Sequence, residues 1–259
     1  MIQTLVLAVL VASAAQGGAV KRFPISREPR IINGTPAKQG EFPSQLSLQV
    51  FDEHYCGASV LNDQWALTAA HCVEGLVPED LILLAGTVDL KTGGTAHQVV
   101  EIIMHEGYTP EDSWMNDIAV VRVSNSFPID GVNVEPISLP AQGQNPADGS
   151  TATFIGWGYN ENSVLPTILS KIDIAIVNQG ACSSAYASQG QNIYDGNICA
   201  EAPQGNKGAC TGDDGGPLFV EGTSVGLMSW MNACNDPGYP TVFTRVSYYR
   251  DWIKKHTGV

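Results

Sequence analysis

"ACTGDDGGPLF", residues 209–219, packs a cysteine, three glycines and two adjacent aspartates into one short stretch. A Gly-Asp-Xaa-Gly-Gly turn beside a cysteine ordinarily presents a nucleophilic hydroxyl at Xaa. In this chain Xaa is Asp214. Either the site performs different chemistry, or a catalytic scaffold has been kept while its nucleophile has gone.

Two other stretches gain meaning beside this turn. "WALTAAHCVEG" (65–75) sets His71 against Cys72, with Cys56 upstream in "HYCGASVLN" (54–62). "MNDIAVVRV" (115–123) places Asp117 at the head of a strongly apolar run. Each has a bland reading by itself: a packed or exposed histidine, an aspartate that starts a turn, a glycine-rich loop.

The composition bounds the answer. At 259 residues, 44% hydrophobic and 15% charged, the chain has enough apolar content for a packed core. Its formal charge is −13, from 13 basic and 26 acidic residues. That balance argues against nucleic acid or an anionic membrane as partner, since both require a basic footprint. The amino-terminal run Leu5–Ala12, followed by small residues, reads as a signal peptide over residues 1–17, although its start lacks a Lys or Arg. Secretion implies an oxidising compartment, in which the six cysteines Cys56, Cys72, Cys182, Cys199, Cys210 and Cys234 can all pair. Spacing alone leaves the connectivity open.

Residues 18–30 include "KRFPISREPR", with two prolines and no hydrophobic period. Beyond them, short alternating runs predict strands at 45–51, 81–85, 99–104, 117–123, 151–156, 171–177, 223–229 and 241–246, separated by Gly, Pro, Asn and Asp clusters. This is the pattern of antiparallel sandwiches or barrels. "LPAQGQNPADGS" (139–150) reads as a connection between two halves. Val246, Tyr249, Trp252 and Ile253 recur at helical spacing and predict a terminal helix over about 246–256.

Taken in order, His71, Asp117 and the Gly212–Gly216 turn resemble the chymotrypsin-like (trypsin-type) serine protease family. The resemblance runs from Arg30 almost to the end, through "RIING" (30–34), "GWG" (156–158), "SW" (229–230) and "PTVFTRVSYYRDWI" (240–253). The pattern is most similar to invertebrate chymotrypsin- and elastase-like members. It implies an all-β fold of two six-stranded antiparallel barrels with a terminal α-helix. Barrel one spans about 31–137 and barrel two about 146–245. The implied disulfides are Cys56–Cys72, Cys182–Cys199 and Cys210–Cys234.

By the same resemblance, His71 is the general base and Asp117 orients it, with Ser229 bonded to Asp117. The backbone N–H groups of Gly212 and Asp214 form the oxyanion hole. Residues 18–30 are an activation propeptide, and a trypsin-like protease cutting after Arg30 would free the Ile31 amine to pair with Asp213. Gly208 forms the base of the specificity pocket, with Met231 and Thr241 on its walls and Ser229 at its edge. Without charge at Gly208, preference for Arg or Lys is not expected.

Asp214 breaks the pattern. A carboxylate carries no proton for His71 to take, and its charge opposes the one that develops in the oxyanion hole. A carboxylate pair sharing a proton is also excluded, because Asp213 is assigned inward. The sequence therefore reads as a secreted, monomeric serine protease homologue without catalysis, which binds protein or peptide ligands as a decoy or cofactor. A serine at 214 would instead make it an active secreted endopeptidase of chymotrypsin- or elastase-like preference. Neither a cofactor nor a metal is called for: the 85–96 loop offers Asp89 as its one carboxylate, too few hard oxygens for calcium. Asn33-Gly34-Thr35 is the chain's sequon for glycosylation.

Overall fold

The computed structural model describes residues 31–160, 162–203, 205 and 207–259. The signal and propeptide assignments, including Arg30, lie outside the described residues. Alternation of buried and exposed side chains builds two sheets. The first holds β2 (Gln45–Val50), β3 (Glu53–Val60), β4 (Trp65–Thr68), β5 (Leu81–Ala85), β6 (Thr95–Met104) and β7 (Ala119–Val123). These close into a barrel in the order β2-β3-β4-β7-β6-β5. Leu46, Leu48, Ala58, Leu81, Leu83, Val99 and Val121 fill its interior.

The second barrel uses β8 (Thr151–Gly156), β9 (Ser170–Val177), β10 (Asn197–Glu201), β11 (Pro217–Val220), β12 (Thr223–Trp230) and β13 (Thr241–Arg245). Its order is β9-β10-β13-β12-β11-β8, and a β8–β9 pairing closes the ring. Phe154, Ile172, Ile174, Leu218, Met228 and Phe243 form its core. Closure removes the open edges that would invite aggregation.

Both ends of the described chain cross over. The short strand β1 (Thr35–Pro36) pairs with β9 and so joins the second sheet, although it precedes the first barrel's strands in sequence. The expected helix over 246–256 begins instead as a 3₁₀ turn at Val246–Tyr248, and the α-helix α2 runs Arg250–Thr257, ending at Gly258 in the left-handed conformation. Val246, Tyr249 and Ile253 pack against Leu61, Leu67, Ile118 and Val120, which belong to the first half. Each half therefore carries an end of the chain whose nearest neighbours in sequence lie in the other.

The three implied disulfides are all formed: Cys56–Cys72, Cys182–Cys199 and Cys210–Cys234. One further helix, α1 (Gln179–Ala187), begins at Asn178, whose side chain accepts from the N–H groups of Gly180 and Ala181. Cys182 anchors this helix to Cys199 on β10.

Candidate active site

Between the barrels, elements from both halves converge on His71. The residue follows β4 directly, and the Cys56–Cys72 bond ties its segment to β3. Asp117 lies just ahead of β7, fully shielded from solvent. It holds His71 at two points: the backbone N–H donates to Oδ1 at 2.9 Å, and Nδ1 donates to Oδ2 at 2.8 Å. Ser229 at the end of β12 donates to the same Oδ2 at 2.5 Å. Thr244 on β13 donates its hydroxyl to the Asp117 carbonyl at 2.6 Å. The second barrel thus fixes the residue that orients the first barrel's histidine.

The turn after Cys210 is clamped from three sides. The Asp214 carbonyl accepts from Gly57 N–H, Gly215 N–H donates to the Met228 carbonyl, and Gly216 N–H donates to the Asp213 carbonyl. Gly215 has φ +73° and lies where a Cβ would press into the Thr68 hydroxyl and the Gly57 carbonyl, so no larger residue fits there. This locked backbone is what the sequence signature encodes.

The two aspartates diverge, as expected. Asp213 points inward, where Oδ1 accepts from Gly158 N–H at 2.7 Å and Oδ2 from Cys210 N–H at 2.9 Å. Burial pushes its pKa up to about 7, against the lowering effect of these two bonds. Ile31 is fully buried in the second core, in a cluster that also holds Ala209. Asp214 points into the cleft. Its Oδ1 lies 3.7 Å from His71 Nε2, and its Oδ2 accepts the Gly212 N–H at 3.1 Å. One carboxylate therefore occupies a donor of the expected oxyanion hole while facing the imidazole.

His71 lies between two carboxylates. Burial opposes its charging, but the Asp117 charge and hydrogen bond, with Asp214 added, outweigh burial and raise its pKa to about 10. The imidazole is then already protonated at neutral pH and has no lone pair with which to accept a proton.

His54 was not singled out in the sequence, yet it supports the turn. Its Nε2 lies 2.8 Å from the Gly212 carbonyl and its Nδ1 2.8 Å from Ser47 Oγ. Burial lowers its pKa to about 4, so the neutral ring is the resident form. The carbonyl can only accept, so Nε2 carries the hydrogen and Nδ1 receives the Ser47 hydroxyl. The available signal was a histidine two residues before a disulfide cysteine, which alone is weak.

Gly208 and Thr241 line one cavity together with Asn235, while Met231 and Ser229 are not among its walls. Gly208 is buried; a Cβ there would meet Asn235 backbone atoms at 3.0 and 3.2 Å. Asn235 itself takes φ 54° next to the Cys210–Cys234 bond. Met231 packs against the second core. The cavity that contains His71 and Asp214 is lined by His54, Tyr55, Tyr159, Leu165, Thr211 and Gly212, and its walls include neither Ser229 nor Met231. In the 85–96 loop, Asp89 is engaged by Lys91 N–H and the Thr92 hydroxyl. The cluster Cys56, His71, Cys72 brings potential metal ligands together. Both sulfurs are committed to a disulfide and are not thiolate ligands.

Comparison with known proteins agrees with this architecture. The chain is 40% identical over 239 residues to "Trypsin-1" of Astacus astacus, covering 86% of this chain and 98% of that relative. It is 37% identical over 261 residues to "Trypsin Blo t 3" of Blomia tropicalis, covering 97% of each. With "Fibrinolytic enzyme, isozyme C" of Lumbricus rubellus it shares 41% identity over 239 residues, 86% of this chain and 98% of the relative. The family model described as Trypsin matches residues 31–253, both barrels and the first half of the terminal helix, and by that match the chain belongs to the trypsin family of chymotrypsin-like serine proteases.

Proposed function

We propose that this chain is a secreted, non-catalytic member of its family that acts by binding protein or peptide ligands. The observation that carries the reading is the span of Asp214 between His71 Nε2 and Gly212 N–H. Proteolysis at this site requires a neutral imidazole to take a proton and an empty donor to receive the oxyanion. Asp214 opposes both: it helps keep His71 charged and it occupies a donor. Secretion is supported by the three disulfides and by the apolar run at Leu5–Ala12. "REPRIING" (27–34) supports a precursor cut after Arg30 by a trypsin-like protease.

Apart from the nucleophile, the machinery is assembled. Asp214→Ser, cut with trypsin, should become labelled by a fluorophosphonate. It should cleave after small or medium apolar residues, because Gly208 adds no charge and Met231 and Thr241 limit depth. The unaltered protein should show neither labelling nor turnover above a His71→Ala control. Turnover by the unaltered protein that disappears in His71→Ala would overturn the reading.

A further inference from the structure

We infer that the cleft is a receptor for the free amino terminus of a polypeptide, with Asp214 as the counter-ion of its α-ammonium group. The inference rests on the non-catalytic reading above. In the family's reaction the histidine hands its proton to the departing amine, so the new amino terminus leaves along the histidine's face of the cleft. On that face this protein has a cavity of about 280 Å³, lined by His54, Tyr55, His71, Tyr159, Leu165 and Asp214 among others.

Three features of this cavity favour an ammonium group on an apolar residue. The first is charge. Asp117 and Asp214 flank His71, so two acidic side chains face one imidazole. Of the neighbouring titratable groups, Asp213 is fully buried and held by the Gly158 and Cys210 N–H groups, His54 lines the cavity with its ring bonded to the Gly212 carbonyl, Tyr55 and Tyr159 form part of the wall, and Tyr108 and Tyr249 face Asp117. The second is accessibility. Asp214 keeps 20% of its side chain exposed, whereas Asp117 is fully covered, so Asp214 is the carboxylate a ligand can reach. The third is the wall. Tyr55 and Tyr159 are 48% and 39% exposed and stand beside Leu165, which offers apolar and aromatic surface to the first residues of the ligand.

The opposite polarity is disfavoured. A peptide carboxy terminus would bring a third carboxylate to the cluster. A mid-chain carbonyl would compete with Asp214 for the Gly212 N–H. An α-ammonium group donates to carboxylate oxygens, and neither Asp214 oxygen is saturated by a single N–H or imidazole contact.

The test uses two fluorescent peptides of identical sequence, Leu-Ala-Ser-Gly-Lys amide labelled at the lysine, one with a free amino terminus and one N-acetylated. Fluorescence anisotropy with the secreted protein at pH 7 should show saturable binding of the free form and binding about tenfold or more weaker for the acetylated form, as expected for one charge-assisted contact. Asp214→Asn should erase the difference. Equal binding of the two peptides, or none by either, would overturn the inference even if the protein remains inert towards substrates. Cleavage of the peptides that is lost in His71→Ala would instead overturn the non-catalytic reading. The acetylation comparison needs no altered protein, so misfolding of Asp214→Asn would leave the test intact.

Discussion

At residue 214 a carboxylate stands where the family signature places a hydroxyl, and its effect reaches one residue further, to His71. The folded pKa of His71, raised to about 10, gives a titration with a definite sign. Stabilisation from its charged form is fully present below the unfolded value of about 6.5 and is lost as pH climbs through the folded value. An NMR titration should place the His71 ring transition near 10, and Asp214→Ala should lower it. An unchanged transition would mean that Asp214 contributes nothing to the charge. His54 predicts the reverse. Its folded value of about 4 means that the folded state resists a proton which the unfolded chain accepts, so stability falls as pH drops from about 6.5 to about 4. Over that window the unfolding free energy of the unaltered protein, measured in urea, should fall relative to His54→Gln. A pH-independent difference would count against a buried neutral His54.

At the scale of elements, the backbone at Gly208 is set by an isolated bridge and a disulfide-tethered loop acting together. Gly208 forms a bridge with Ile32 and lies against Asn235. Gly208→Ala should therefore cost about 1–3 kcal/mol by overpacking, because the neighbour is backbone held by the Cys210–Cys234 bond and cannot swing aside. A chemical denaturation curve superimposable on that of the unaltered protein would refute this. The legibility of elements in the sequence followed their chemistry. β5 and β8 alternate clearly and were found with their observed ends, 81–85 and 151–156. β4 (Trp65–Thr68) and β11 (Pro217–Val220) are four-residue runs without alternation, and each adjoins a catalytic motif that drew attention to chemistry instead. β3 carries Cys56 and Gly57, which mask its pattern. α1 contains Gly180, Ser183 and Ser184 and presents a weak apolar face, so it does not stand out in the sequence. Asp117 was read as opening a strand, whereas β7 starts at Ala119. Ile118 alone separates them, and the Asp117 carboxylate bonds to His71. His71, Asp117, Asp214 and Ser229 sit in short motifs, and the fold brings the four together. What the sequence could not give was the direction of the Asp214 side chain, since that depends on where Gly212 N–H and the imidazole lie after folding.

For the whole molecule, burial of Asp213 would couple the proposed precursor processing to pH. Its pKa of about 7 means that the folded chain holds an extra proton between the ordinary carboxylate range and neutrality, so the ionised form costs stability as pH rises through that interval. Cutting after Arg30 would supply the Ile31 amine as partner and relieve this cost. The melting temperature of the cut form should exceed that of the precursor by a margin that widens from pH 4.5 to pH 7.5. A pH-independent margin, or a new amino terminus other than Ile31, would remove the proposed pairing. The crossed chain ends have a mechanical corollary. If the molecule is gripped at residue 31 and at residue 259 and drawn apart, tension reaches β1 on one barrel and the terminal helix on the other before it reaches either ring of strands. These two attachments act as sacrificial fasteners in series with the barrels. Each should release as a small early step in a force–extension trace, and the same release would be the first event when the protein is threaded from either end into a degradative pore.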